Sequence, residues 1–206
     1  HVKVPFWLQP ETYYAGVAWY QRDVEIPRAW AGRRIVLRLE RPHWETRVWI
    51  GARLIGTNDS LSTPHLYDLG SVDAGRHQIT VRVDNRMVVD IGENSHSISD
   101  HTQGNWNGIV GAIRLESTPR VWLDDVQFHP NAGQRSVHVK GRIGNSSDAP
   151  GASALKLSFR PIRGGRPVAG QPGQSVQSEV RWEVDGGSFE TDLALGADAL
   201  LWDEFD

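Results

Sequence analysis

Residues 76–84 read RHQITVRVD, and their alternation decides the fold class. His77, Ile79, Val81 and Val83 fall on one side of an extended chain, and Gln78, Thr80, Arg82 and Asp84 on the other. Successive side chains of a strand point to opposite faces, so this period of two marks a β-strand with one buried face. The pattern recurs outward in both directions. RRIVLRLE (33–40) puts Ile35, Leu37 and Leu39 together, and AWYQRDVEIP (18–27) is a strand ended by Pro27. ETRVWIGARLIG (45–56) reads as two strands turned at Gly51, and AIRLES (112–117) supplies another before Pro119. PRAWAG (27–32) has room for one short turn of helix, but no helical periodicity of useful length occurs. The expected fold of residues 1–118 is therefore an all-β sandwich.

From TPRVWLDDVQFHP (118–130) onward the texture changes. SVHVKGRIGN (136–145), ALKLSFRP (154–161), SEVRWEV (178–184) and SFETDLAL (188–195) are short alternating strands. Loops such as GNSSDAPGAS (144–153) and RGGRPVAGQPGQ (163–174) join them. Strands at this spacing predict a second, smaller sandwich of immunoglobulin type over 119–206.

Composition narrows the function classes. With 22 Lys and Arg against 25 Asp and Glu, the net charge is −3, too small a field to argue for nucleic-acid or membrane binding. No apolar run approaches a membrane span, and the first residues do not have the pattern of a signal peptide. The absence of cysteine removes disulfides, thiolate metal sites and cysteine nucleophiles together. Nine tryptophans are many for 206 residues, and fit a thick core or a stacking surface. Trp19, Trp44 and Trp49 are expected in the core, and His65 and Tyr67 half buried beside a turn at Pro64. In VDNR (83–86), Asp84 or Asn85 is expected to cap a turn.

One segment does not read as scaffold. NSHSISDHTQGNWNGIV (94–110) crowds Asn94, His96, Asp100, His101, Gln103, Asn105, Trp106 and Asn107 between two strand signals. His96, Asp100 and His101 are metal ligands by type, but their spacing matches no helix-borne zinc motif. Ser95, Ser97 and Ser99 with a histidine and Asp100 contain the residue types of a nucleophilic triad, without a nucleophile elbow. A plain structural loop, with Trp106 plugging the sandwich end, uses the same residues. So does a polar clamp for a carbohydrate, in which Asn, Gln, Asp and His pair with vicinal hydroxyls and an indole supplies a stacking platform.

A longer pattern carries a resemblance. GVAWYQRDVEIPRAWAGRRIVLRLERPHWETRVWIGARLIGT (16–57), then SLSTPHLYDLG (60–70), GRHQITVRVDN (75–85) and HTQGNWNGIVGAIRLE (101–116), resemble in order the sugar-binding domain of glycoside hydrolase family 2. That family contains β-galactosidases, β-glucuronidases and β-mannosidases. The resemblance implies a jelly-roll followed by an immunoglobulin-like sandwich and then a (β/α)8 barrel holding both catalytic glutamates. No catalytic residue, metal ligand or cofactor is then expected among these residues. ALLWDEFD (199–206) resembles the stretch leading into the last strand of the second sandwich, so the chain is expected to be an N-terminal fragment, truncated before that strand. The implied partners are a β-linked carbohydrate and the C-terminal barrel of the same chain. Asp100, His101, Gln103, Asn105 and Trp106 are the implied substrate-binding residues, on the glycone side of the barrel's site. A free-standing carbohydrate-binding module and a structural β-sandwich without a sugar site are the competing readings. The polysaccharide-degrading role implies a periplasmic or extracellular location.

Overall fold

The computed structural model describes residues 14–90, 92, 106–168, 174–197 and 199–201. The chain divides into two compact units, His1–Thr118 and Pro119–Asp206. Both are built from antiparallel strands, so the protein is all-β.

The first unit is a jelly-roll sandwich. Its strands are β1 (Val17–Ile26), β2 (Arg34–His43), β3 (Glu45–Ile50), β4 (Arg53–Asn58), β5 (His65–Gly70), β6 (Gly75–Asp84) and β7 (Gly108–Thr118). A sheet in the order β1-β6-β3-β4 faces another in the order β5-β2-β7. Arg28–Trp30 form the single short turn of 3-10 helix that PRAWAG allows. The alternation is honoured: Ile79, Val81 and Val83 of β6 point inward against Ile35, Leu37 and Leu39 of β2, and all six are buried. Pairing is continuous from Ile26↔Gly75 to Val17↔Asp84, because slipping one residue would turn the apolar set outward.

A buried polar chain crosses this core. The Ser60 carbonyl can only accept, so His65 Nε2 carries a proton and donates to it at 2.8 Å. His65 Nδ1 is then an acceptor, taking the Thr46 hydroxyl proton at 2.6 Å. The Tyr67 hydroxyl lies 2.5 Å from Thr46 Oγ1 and donates to the Thr46 carbonyl at 3.0 Å. Every polar atom in the chain is thereby satisfied, which makes its burial affordable. Burial also lowers the His65 pKa and raises that of Tyr67 to about 12, so both rings stay neutral. His65 and Tyr67 are thus fully buried on β5, not half buried beside a turn.

The tryptophans divide. Trp44 is buried as expected, whereas Trp19 is 62% exposed. On β1 the inward positions fall to Ala18, Tyr20, Arg22, Val24 and Ile26, which leaves Trp19 on the outer face. There it lies 5.5 Å from Trp49, ring centre to ring centre, across β6. A groove of about 740 Å³ opens between edge strands β1 and β7, lined by Tyr20, Leu37, Ile79, Val81, Ile113 and Leu115.

The second unit contains β8 (Val121–Asn131), β9 (Ser136–Asn145), β10 (Gly151–Phe159), the short hairpin β11 (Ile162–Arg163) and β12 (Arg166–Pro167), β13 (Gln174–Trp182) and β14 (Gly187–Ala194). A sheet in the order β14-β9-β8 faces the pair β10-β13, in the manner of an immunoglobulin-like sandwich. Its core is small: Val139, Ile143, Leu155, Val180 and Phe189. Three strand glycines are each set opposite an aromatic residue: Gly141↔Phe189, Gly144↔Trp122 and Gly151↔Trp182. A Cβ at Gly141 would come within 2.7 Å of the Phe189 ring, and one at Gly151 within 2.6 Å of Trp182; at Gly144 the indole of Trp122 leaves still less room. The ring covers backbone that glycine would otherwise leave bare.

Leu39 is fully buried on the central strand of its sheet. Leu39→Ala is expected to lower the free energy of unfolding by about 2–5 kcal/mol, read from urea denaturation.

Candidate functional site

One end of the jelly-roll gathers the termini of β2, β6 and β7, and it borders the polar segment singled out in the sequence. Asp100, His101, Gln103 and Asn105 lie outside the described residues. Trp106 and Asn107 are described, and they show how the segment is attached.

Trp106 enters β7 over an aromatic stack. Its ring centre is 5.5 Å from that of His43, which in turn stacks on Trp44 at 5.7 Å and 23°. His43 and Trp44 are 4% and 3% exposed. Their peptide bond is cis. Trp44 is held at both ends, its backbone N–H donating to the Asp84 carbonyl at 2.9 Å and its indole N–H to the Asp59 carbonyl at 2.6 Å. The indole N–H of Trp106 is also buried, and no described residue accepts it. Gly108 follows with φ of 75°, and a Cβ there would meet the Tyr20 hydroxyl at 2.5 Å. The positive φ favours glycine at this point, and the Tyr20 hydroxyl occupies the space a side chain would enter.

Asn85 ties the neighbouring segments together. Its Oδ1 accepts the Gly16 N–H at 2.7 Å, and its Nδ2 donates to the Tyr14 carbonyl at 2.6 Å and to Asn107 Oδ1 at 2.5 Å. The Asn85 backbone N–H adds a bond to the Gly16 carbonyl at 3.2 Å. The sequence reading assigned Asn85 only a turn-capping role. Its partners are up to 71 residues away in the chain, so local pattern carries no signal of them.

Beside it lies a charge network. Arg82 donates to Glu45 and to Asp84, both at 2.7 Å. Arg86 grips Asp84 with two side-chain bonds, at 2.9 and 2.6 Å, and its backbone N–H adds a third at 3.2 Å. The Arg86 side-chain bonds are the main cause that brings the Asp84 pKa down to about 2, against opposing desolvation. A carboxylate so tightly held ionised cannot serve as a general acid near neutral pH. Among the described residues, no three His, Cys, Asp or Glu side chains cluster as metal ligands. Among the described residues, this end of the sandwich is an interlocked set of ion pairs, hydrogen bonds and stacked rings.

Comparison with known proteins places this arrangement. The family model described as glycosyl hydrolases family 2, sugar binding domain, matches residues 2–119. Among solved structures, a Bacteroides fragilis protein assigned as a β-galactosidase superposes with a TM-score of 0.73 at 15% identity, covering 92% of this chain and 29% of its own. A Bacteroides uniformis β-glucuronidase gives 0.67 at 17% identity, over 88% of this chain and 22% of that one. A family 2 β-galacturonidase from Eisenbergiella tayi, bound to galacturonate, gives 0.64 at 21% identity, over 92% and 31%. The chain spans less than a third of the length of each of these relatives.

Two outcomes are expected. Asn85→Ala, which removes three side-chain hydrogen bonds, should lower stability by about 1–3 kcal/mol in denaturant titrations. Asp84, with a pKa near 2 against an ordinary 3.8, stabilises the fold above its unfolded value, and this contribution disappears as pH falls from about 4 toward 2. Asp84→Asn should therefore be less stable than the parent at pH 7 and show a flatter dependence between pH 4 and 2, measured by chemical denaturation across that range.

Proposed function

Because the chain belongs to glycosyl hydrolases family 2, we propose that it is the non-catalytic N-terminal part of a longer retaining β-glycosidase. In this reading residues 100–106 line the glycone side of a subsite that a C-terminal barrel completes. The observation that carries it is the anchoring of the polar segment where it joins β7. Trp106 rests on buried His43, and Asn107 is tied to Asn85, so the segment leaves the sandwich from a fixed base. Binding groups are effective when a rigid scaffold holds a loop in place.

The division of labour follows from the chemistry. Retaining glycoside hydrolysis needs two carboxyl groups about 5–5.5 Å apart, one as nucleophile and one as acid and base. Asp84 and Glu45 are engaged by arginines, and the work of the polar segment is recognition. Asp100, Gln103 and Asn105 offer acceptors and donors to vicinal hydroxyls, His101 adds a ring nitrogen, and Trp106 adds an aromatic face. The related structures are named for galactose, glucuronic acid and galacturonic acid glycosides, which have the β-linkage in common and differ at the sugar. A β-linked glycoside is accordingly the substrate class. Export to the periplasm or cell exterior suits such a substrate.

In the full-length enzyme, Asp100→Ala and Asn105→Ala should each reduce kcat/KM by about a kcal/mol or more, roughly fivefold or greater, with the melting temperature unchanged. Unaltered kinetics in correctly folded variants would remove the segment from the subsite. Millimolar or tighter binding of galactose-type sugars to the 206-residue chain alone, measured by calorimetry, would instead favour a self-sufficient carbohydrate-binding module.

A further inference from the structure

Charge is unevenly spread over the second unit. Between Asp148 and Glu179 the chain carries four of its 22 Lys and Arg residues, Lys156, Arg160, Arg163 and Arg166, and none of its 25 Asp and Glu. All four are exposed. Arg163 and Arg166 are direct partners in the β11–β12 hairpin, on either side of the Gly164–Gly165 turn. The hairpin is closed behind them by the Ile162↔Pro167 pair and by the Val168 N–H, which donates to the Pro161 carbonyl at 3.1 Å. Side chains directly opposed across a ladder leave their Cβ atoms about 4.5–5.5 Å apart, and like charges so placed destabilise the pairing. No described carboxylate offsets that repulsion. The arginine ion pairs of this unit join Arg120 to Asp148, Arg142 to Asp124 and Arg181 to Glu179. Among the described residues Arg160, Arg163 and Arg166 have no such partner.

We infer that the β11–β12 hairpin is a binding site for an acidic polysaccharide, in which Arg163 and Arg166 take carboxylate or sulfate groups carried on the sugar units. A guanidinium presents a planar fork of N–H donors that matches two oxygens of either group, and it is less strongly hydrated than an ammonium, so arginine at three of the four positions suits this work. A bound anion also turns the repulsion between Arg163 and Arg166 into a shared attraction. The surface continues along β10. Leu155 and Leu157 belong to the core, so Lys156 and Ser158 lie on the outer face, and Arg160 follows directly. Across the ladder Lys156 is opposite Gln177 and Ser158 opposite Ser175, which adds amide and hydroxyl groups suited to sugar hydroxyls. A nucleic acid finds less here. Its bases need exposed rings to stack on, and Phe159, the one aromatic residue between Asp148 and Glu179, is half-buried. The choice of a carbohydrate rests on the reading of the chain as part of a glycosidase, whereas the site itself rests on charge and register and uses no residue of the polar segment 94–110.

The probes are polygalacturonate, dextran sulfate and fully methyl-esterified polygalacturonate, which keeps the sugar backbone and removes its charge. Binding to the 206-residue chain is measured by calorimetry at low salt, where exposed charges are least screened, and the melting temperature of each variant is checked against the parent's. Polygalacturonate or dextran sulfate should bind and the ester should not, and the tighter of the two distinguishes carboxylate from sulfate recognition. For that ligand, Arg163→Gln and Arg166→Gln should each weaken binding roughly threefold, and the double variant tenfold or more. Arg28→Gln, which removes the same charge from an exposed position of the first unit, should leave binding unchanged. Failure of the folded chain to bind either acidic polymer, equal binding of the ester, or an equal loss with Arg28→Gln would overturn the inference. So would single-stranded DNA bound as tightly as the polysaccharides, since the occupant would then be a nucleic acid. Glycosidase activity of the full-length protein is a separate readout: its absence counts against the hydrolase reading and leaves the binding result standing.

Discussion

A strand with one apolar face holds its shape only when a second layer covers that face, and this requirement organises both units. In the jelly-roll the four strands of one sheet and the three of the other close over Ile35, Leu37 and Leu39 on one side and Ile79, Val81 and Val83 on the other. The buried Thr46–His65–Tyr67 chain is tolerated in that core because each polar atom has a partner, and it ties β3 to β5 across the sandwich. In the second unit the same requirement is met by a smaller set, Val139, Ile143, Leu155, Val180 and Phe189, with Val121 and Val126 of β8 packed against it.

Closing the jelly-roll also decides where chemistry can be placed. The ends of β2 and β6 and the start of β7 converge, and there the chain spends its polar residues on fixing positions. Arg82 and Arg86 clamp Asp84, Asn85 joins residues 14–16 to Asn107, and His43 supports Trp106. These contacts fix Trp106 and Asn107 at the start of β7. Family membership, rather than any group in the described residues, brings glycosidic hydrolysis into the account.

Much of this was legible in the sequence, for physical reasons. Period-two alternation located most of the strands, since a half-buried strand must write its two faces into alternate positions, but β5 was read as a turn around Pro64 and β8 was not read as a strand. The side to which a mixed strand turns was harder. On β1, Trp19 and Tyr20 compete for the inside, and Arg22 shares Tyr20's face, so residue type alone misplaces Trp19 in the core. The β11–β12 hairpin hid in a stretch read as loop, although its Gly164–Gly165 pair, both at positive φ, is the usual signature of a two-residue turn. The burial of His65 and the reach of Asn85 depend on partners distant in the chain, which no local pattern records. Of the candidate site named from the sequence, the structure describes Trp106, and the residues that support it were not read from the sequence. His43 lies against Trp106 and Asn85 is bonded to Asn107, while Asp100, His101, Gln103 and Asn105 lie outside the described residues.

The glycine–aromatic pairs of the second unit have one more consequence. Phe189 fits only over Gly141, Trp122 only over Gly144 and Trp182 only over Gly151, because any other residue at the glycine would place a methylene inside the ring. A displacement of any of the three ladders by two residues keeps every side chain on its proper face, so hydrophobic patterning does not forbid it. Shape does, since the rings would then land on occupied positions. In a unit with so small a core, alignment of the strands is thus set by three notches and the three rings that fit them, and a glycine and its ring can change only as a pair.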